Sequence, residues 1–282
     1  SQGGKCGDNL TWALDGSGVL TISGSGDMWD FEQEGSNVAP WIGRKLTKLV
    51  LSDKITSIGN YAFYKCTDIT GGLVLPSNLK TIGKGAFDYC SGFSGKLVFP
   101  ETLTEIKAFA FDACSGFSGD LILPDGITAI RALTINECEG FNGSLKLPKN
   151  LKAIEANAFR ACHNLTGKLE LPETLTELGG VAFGGCNFTG GLRIPGSVSI
   201  IGDNAFYHCQ GFNGTLEITE GTTTILGYSF ASCIGFTKVI LPESITKIGT
   251  ASFRDMTGLQ DVYYAGTAEQ WKNINIESDN SP

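Results

Sequence analysis

The hydrophobic positions of this chain recur with a fixed period along most of its length. A short segment of the form L-x-L-P, with apolar residues on either side of one free position, returns every 23 or 24 residues. This alternation predicts a strand with one buried face, and the proline ends the strand because it has no N–H to donate. A period of this length predicts a solenoid of stacked coils.

Each period carries three further features. An A-F-x-x-C unit predicts a single helical turn with two core-facing anchors, and a G-F pair predicts a tight corner in which glycine adopts positive φ. A second apolar pair follows the strand, as at Leu103 and Ile106. With roughly seven inward side chains, one repeat is too small to fold alone, so stacking must create the core. The repeat is marked by a column of cysteines, with Met256 in the next position: Cys66, Cys90, Cys114, Cys138, Cys162, Cys186, Cys209 and Cys233.

These residues resemble the BspA-like branch of bacterial leucine-rich repeats. The pattern is carried in one coil by Leu97, Phe99, Pro100, Leu103, Ile106, Ala110, Phe111 and Cys114, and the resemblance spans about residues 46 to 265. It implies a right-handed leucine-rich-repeat coil with a parallel β-sheet face, short helical turns and capped ends. Members of this family serve as adhesins, as binding surfaces or as surface proteins of unassigned role.

Three segments are expected. Residues 1–45 lack the repeat and predict an N-terminal β-hairpin cap, in which segments 10–14 and 19–22 flank a turn at 15–18. Residues 46–265 form the array of about nine to ten coils, and residues 266–282 form a C-terminal capping helix and tail. A calcium-loop interpretation of the turn fails, since alternating carboxylates and a terminal glutamate are missing.

Composition narrows the functional classes. The formal net charge of −8 and the lack of a Lys/Arg cluster argue against nucleic-acid binding. No run of 18 apolar residues occurs, so membrane insertion is not expected. We expect a monomer without a cofactor.

Catalysis is not predicted either. The two histidines, His163 and His208, each neighbour a column cysteine that points into the core, and no cysteine or histidine spacing fits a metal site. The eight column cysteines are expected to be buried free thiols, because equivalent Cβ atoms in parallel coils lie about 4.8 Å apart and a disulfide requires about 3.8 Å. For Cys6, which lies outside the column, both states remain open.

The free position of each strand defines a surface column. It begins with apolar residues from Val50, alternates in charge at the centre and ends with apolar residues. One interpretation is a self-neutralising ladder, and the other is a binding surface. The candidate ligand-binding residues on this sheet face are Val74, Val98, Ile122, Lys146, Glu170, Arg193, Glu217 and Tyr263.

Together, these patterns favour a secreted or cell-surface bacterial module that binds protein in the manner of an adhesin. The expected partner is an extracellular protein of a host or neighbouring cell, with a glycan as the second partner class. Two alternatives stay open, a passive structural spacer and an accessory domain of a larger surface protein.

Overall fold

The computed structural model describes residues 2–282. Its elements are, in chain order, β1 (Gln2–Lys5), β2 (Leu10–Leu14), β3 (Val19–Gly24), β4 (Gly26–Asp27), β5 (Lys48–Leu51), β6 (Ile55–Ile58), β7 (Thr81–Ile82), β8 (Glu105–Ile106), β9 (Leu121–Ile122), β10 (Ala129–Ile130), β11 (Leu145–Lys146), β12 (Ala153–Ile154), β13 (Glu177–Leu178), β14 (Gly190–Ile194), β15 (Ile200–Ile201), β16 (Phe212–Ile218), β17 (Thr224–Ile225), β18 (Phe236–Leu241), β19 (Lys247–Ile248), β20 (Asp261–Tyr264), α1 (Ala268–Lys272) and β21 (Asn275–Ile276).

The coils stack in parallel, which confirms the predicted repeat solenoid. The second strand of each coil forms the longest sheet, in the order β10-β12-β13-β15-β17-β19-β21, and β4-β6-β7-β8 form a shorter one. Residues one repeat apart face each other, as Ile130 faces Ile154. Their buried side chains, together with the leucines of the L-x-L-P segments, form one continuous core.

The L-x-L-P segments do not form the continuous ladder that the sequence predicts. Only β9-β11 and β14-β16-β18-β20 pair within the array on this face, and the segments 73–75, 97–99 and 169–171 lie outside any strand. Beside segments 73–75 and 97–99 the coils pair only at the Gly-Phe corner, through isolated bridges of Gly71 with Phe93 and of Gly95 with Phe117.

The predicted helical turn in A-F-x-x-C is also wrong. The segment is a series of tight turns in which two residues per coil adopt positive φ, such as Tyr61 (49°) and Lys65 (55°). Between them, the Phe63 N–H donates to the carbonyl of Ala86 in the next coil at 2.8 Å. An α-helix keeps its hydrogen bonds within one segment, so the left-handed residues and this link between coils exclude it. Hydrogen bonds of this kind join the turns of successive coils and form a second ladder along the solenoid.

The column cysteines are buried free thiols, as predicted, and they also act as donors. The Cys114 thiol donates to the carbonyl oxygen of Phe87 in the preceding coil at 3.0 Å, and the Cys162 thiol donates to that of Ile135 at 2.9 Å. Burial raises the pKa of the Cys162 thiol to about 12. Cys6 is likewise free and buried, and burial raises its pKa to about 11. Cysteine thus packs as a small apolar residue while giving a buried carbonyl a second donor.

Both ends of the core are covered. At the N-terminus, β2 and β3 form an antiparallel hairpin and β3 pairs in parallel with β5, so the cap continues into the first coil. The turn carboxylate of Asp15 accepts hydrogen bonds from the backbone of Ser17 and Val19, as in an ordinary turn. At the other end, α1 begins with a capping box formed by Thr267 and Gln270.

Candidate functional site

The four apolar residues at the start of the surface column are exposed. Val50 is 40% exposed, Val74 81%, Val98 70% and Ile122 51%. The segment neighbours of Val74, Val98 and Ile122 are buried, as shown by Leu73 and Leu97, whereas those of Val50 are half-buried. An uninterrupted row of β-branched side chains on one face forms a larger apolar patch than scattered surface residues do.

The charged centre of the column differs from the predicted ladder. Arg193 faces Glu217 across β14 and β16, yet its guanidinium pairs with Glu173, which follows the strand segment of the preceding coil. Within residues 2–282, no ion pair joins Lys146, Glu170, Arg193 and Glu217 to one another. The segment around Glu170 lies outside any strand, so the ladder spacing is lost there, while Arg193 is already paired with Glu173.

The C-terminal end of the column is aromatic. Tyr263 is 54% exposed, and the Lys238 ammonium lies 4.3 Å from the centre of its ring. Tyr264 and Trp271 lie next to each other, with ring centres 5.3 Å apart. Trp271 also lines an apolar cavity of 220 Å³ together with Phe253 and Ile276, so it belongs to the capping layer.

Charged residues lie on both flanks of the column, and the sequence interpretation gave them no role. In four coils, a lysine lies two residues before the exposed position and a carboxylate lies three residues after it. This five-residue spacing between the two charges is visible in the sequence. The pairs are Lys48 with Asp53, Lys96 with Glu101, Lys168 with Glu173 and Lys238 with Glu243. Lys96, Val98, Glu101 and Ile122 line the same shallow cavity of 280 Å³, so both charges border the apolar row.

A buried polar column lies on the turn side, and it was also missed. Asp88, Asp112 and Asn136 occupy equivalent positions in successive coils and are 5%, 7% and 5% exposed. The Asn136 amide donates to the Asp112 carboxylate at 2.8 Å, whereas one oxygen of Asp88 has no hydrogen-bond partner. Burial, followed by the charge of Asp112, raises the pKa of Asp88 to about 7, and burial also raises the pKa of Asp112. Lys65 opposes the shift at Asp88.

This column makes stability depend on pH. The pKa of Asp88 is raised from 3.8 to about 7 on folding, so the folded state binds the proton more tightly and its stability falls as pH rises from about 4 to 7. We expect Asp88→Asn to remove up to about 1.4 kcal/mol per pH unit of this dependence. Urea unfolding of both proteins between pH 4 and 8 measures it. The same dependence of the free energy of unfolding on pH in both proteins would contradict the raised pKa of Asp88.

The residues that could carry chemistry are not assembled into a catalytic site. The thiols of Cys162 and Cys209 donate into the core, to the carbonyls of Ile135 and Phe183. Their sequence neighbours His163 and His208 lie outside that core. Within residues 2–282, no group of three His, Cys, Asp or Glu side chains could hold a metal ion. The described part of the chain also holds no helix of a length and apolarity that would let it cross a membrane.

Two of the similar solved structures share this fold. A leucine-rich repeat protein from Bacteroides ovatus is 22% identical, with a TM-score of 0.53 over 96% of this chain and 89% of that chain. One from Eubacterium ventriosum is 20% identical, with a TM-score of 0.50 over 93% and 84%. A leucine-rich cell surface protein from Faecalibacterium prausnitzii is 21% identical, with a TM-score of 0.43 over 100% and 98%. No curated protein matches the sequence.

The sequence itself identifies the family. The model of the BspA type leucine-rich repeat region matches at residues 42–165, 93–210, 142–259 and 191–278, which together cover most of the chain. These stretches include every coil that carries the A-F-x-x-C unit. The chain belongs to the BspA type leucine-rich repeat family.

Proposed function

We propose that this chain is a non-catalytic protein-binding module of a secreted or surface-displayed bacterial protein, and that it engages another extracellular protein through its L-x-L-P face. The exposed row of Val50, Val74, Val98 and Ile122 carries the proposal, because an apolar row of this kind typically marks an interaction site. Family membership supports extracellular display, since the family resemblance implies surface proteins.

The rigidity of the scaffold supports the same function. The row is held by buried neighbours such as Leu97 and Phe99, which anchor it to the continuous core. A rigid surface loses little conformational entropy on binding, which lowers the free-energy cost of association. Lysines and carboxylates at the edges provide a polar rim around an apolar centre, as in many protein interfaces.

Binding of the intact chain to an array of matrix proteins, mucins and glycans tests the proposal. The variant Val74→Glu/Val98→Glu/Ile122→Glu introduces three charges into the row, and we expect it to lose at least about 100-fold in affinity for the protein bound by the wild type. The control variant Thr104→Glu/Thr128→Glu/Thr176→Glu adds the same charge to exposed positions that flank the second strands, and it should bind normally.

The outcomes separate the candidate functions. Binding that survives in the Val74 variant would place the site elsewhere on the chain, and binding to glycans alone would replace the protein partner with a sugar. If neither the wild type nor the triple variant binds anything on the array, the proposal is contradicted and a passive spacer is favoured.

A further inference from the structure

We propose that the apolar row binds the same row of a second copy of this chain, in a weak, two-fold symmetric, face-to-face contact over the first coils. This inference rests on the proposed function, since it names a partner for the same surface. The occupant follows from the charge pattern at the edges of the row, which is complementary to itself.

The L-x-L-P face has one basic and one acidic edge. Lys48 and Lys96 lie at the beginning of their segments, and Asp53 and Glu101 lie just after the segments end, with the exposed valine between them. All four charged residues are exposed. Because the coils are parallel, the two lysines lie on one side of the apolar row and the two carboxylates on the other.

A two-fold axis parallel to the solenoid makes these edges match. It places the two faces against each other with their strands running in opposite directions, so the basic edge of each copy meets the acidic edge of the other. Val98 then meets Val98 of the second copy, and Lys96 meets Glu101 of the second copy. Each such pair occurs twice, as an isologous interface requires.

The charges near the apolar row are the ones available for this contact. Lys48, Lys96 and Glu101 form no ion pair within residues 2–282. Asp53 accepts hydrogen bonds from Ser77, which lower its pKa and keep the carboxylate ionised. In the later coils, two of the equivalent groups have partners within the chain, because Glu173 pairs with Arg193 and Lys238 lies over Tyr263.

The pattern also limits the contact. The fourth coil has aspartates on both edges, Asp120 and Asp125, which would face each other in this arrangement, and Lys146 would lie close to its own copy at the axis. The contact therefore ends at Ile122. So small an interface, below about 1,200 Å² in total, is typical of a transient complex, and the chain remains monomeric when dilute.

Sedimentation equilibrium between about 10 μM and 1 mM tests the inference, a range that corresponds to weak association. We expect a concentration-dependent monomer–dimer equilibrium for the wild type. Val98→Glu should weaken association at least about tenfold, and Lys96→Glu or Glu101→Lys alone about fivefold, because each change affects two symmetric pairs. The double swap Lys96→Glu/Glu101→Lys should restore affinity to within about twofold.

A matched control uses the sixth coil, where Lys168→Glu/Glu173→Lys makes the same swap outside the contact and should leave association unchanged. Circular dichroism and urea unfolding confirm that every variant is folded. A wild type that is monomeric at 1 mM would overturn the inference, as would a double swap that fails to restore association. Either result leaves the proposed function intact if the binding array identifies another protein partner. If the wild type dimerises but binds nothing on the array, a second copy of the chain is the only partner supported.

Discussion

Phe183→Ala is expected to destabilise the protein by about 3–5 kcal/mol, the cost of deleting a fully buried aromatic side chain from a packed core. Phe183 is completely buried and stacks between Phe159 and Phe206, with ring centres 5.2 and 5.4 Å apart, while Phe188 contacts it edge-on at 5.9 Å. Removing the ring leaves a cavity between three coils and breaks both stacked pairs. Urea unfolding followed by circular dichroism measures the loss.

The neighbouring aromatic Tyr207 supplies the control. It lies in the next coil and is 42% exposed, so Tyr207→Ala should change the free energy of unfolding by less than about 0.5 kcal/mol. If Phe183→Ala lowers the free energy of unfolding by less than about 1 kcal/mol, the stacked phenylalanines contribute little to the stability of contacts between coils. Because repeat arrays are stabilised by contacts between neighbours, the variant can also unfold in two steps, with the damaged coils opening first.

The repeat itself could be read from the sequence, because burial acts on each side chain separately. Every phenylalanine of the A-F-x-x-C units is buried, and Ile135, which interrupts that column, is buried in the same position. Periodic apolar residues thus predict the solenoid and its core without any knowledge of the contacts between coils. The same reasoning predicted which residues of the L-x-L-P segments are exposed, including Val74 and Val98.

The backbone could not be predicted equally well, because it depends on the spacing between coils. Whether the L-x-L-P segments pair depends on contacts between coils that single positions do not reveal, such as the isolated bridge of Gly95 with Phe117 beside the unpaired segment 97–99. The turns were missed because the positive-φ positions are occupied mainly by residues such as Tyr61 and Lys65, which give no glycine signal. Hydrogen bonds between coils stabilise a conformation that these residues rarely adopt alone.

In the candidate site, too, single positions could be predicted from the sequence and contacts between coils could not. The apolar row was evident from single positions, whereas its charged edges require comparison of two columns, as between Lys96 and Glu101. The predicted charge ladder failed because the pairing of Arg193 with Glu173 depends on how the side chain crosses between coils. The carboxylate of Asp88 was overlooked because a polar residue next to an anchoring phenylalanine is expected to face solvent.

The two glycines of the Gly-Phe corner have different roles, which the sequence interpretation combined into one. The second glycine adopts positive φ in three of the four corners that have one, as in Gly95 (79°), where a Cβ would meet no atom within 4 Å. The first glycine does not adopt positive φ. A Cβ on Gly116 would overlap the carbonyl oxygen of Phe93 and lie 2.7 Å from that of Ser91. Close approach of two coils therefore requires glycine at the first position.

Gly116→Ala is accordingly expected to destabilise the protein by about 3 kcal/mol or more, because the overlap is with backbone atoms and can be relieved only by moving two coils apart. Gly95→Ala should cost only about 1–2 kcal/mol, the penalty of a left-handed conformation. Gly16→Ala, in an open turn with no atom near the added methyl group, should be nearly neutral. Urea unfolding of the three variants gives the order directly, and an equal cost for Gly116→Ala and Gly95→Ala would mean that backbone conformation alone selects both glycines.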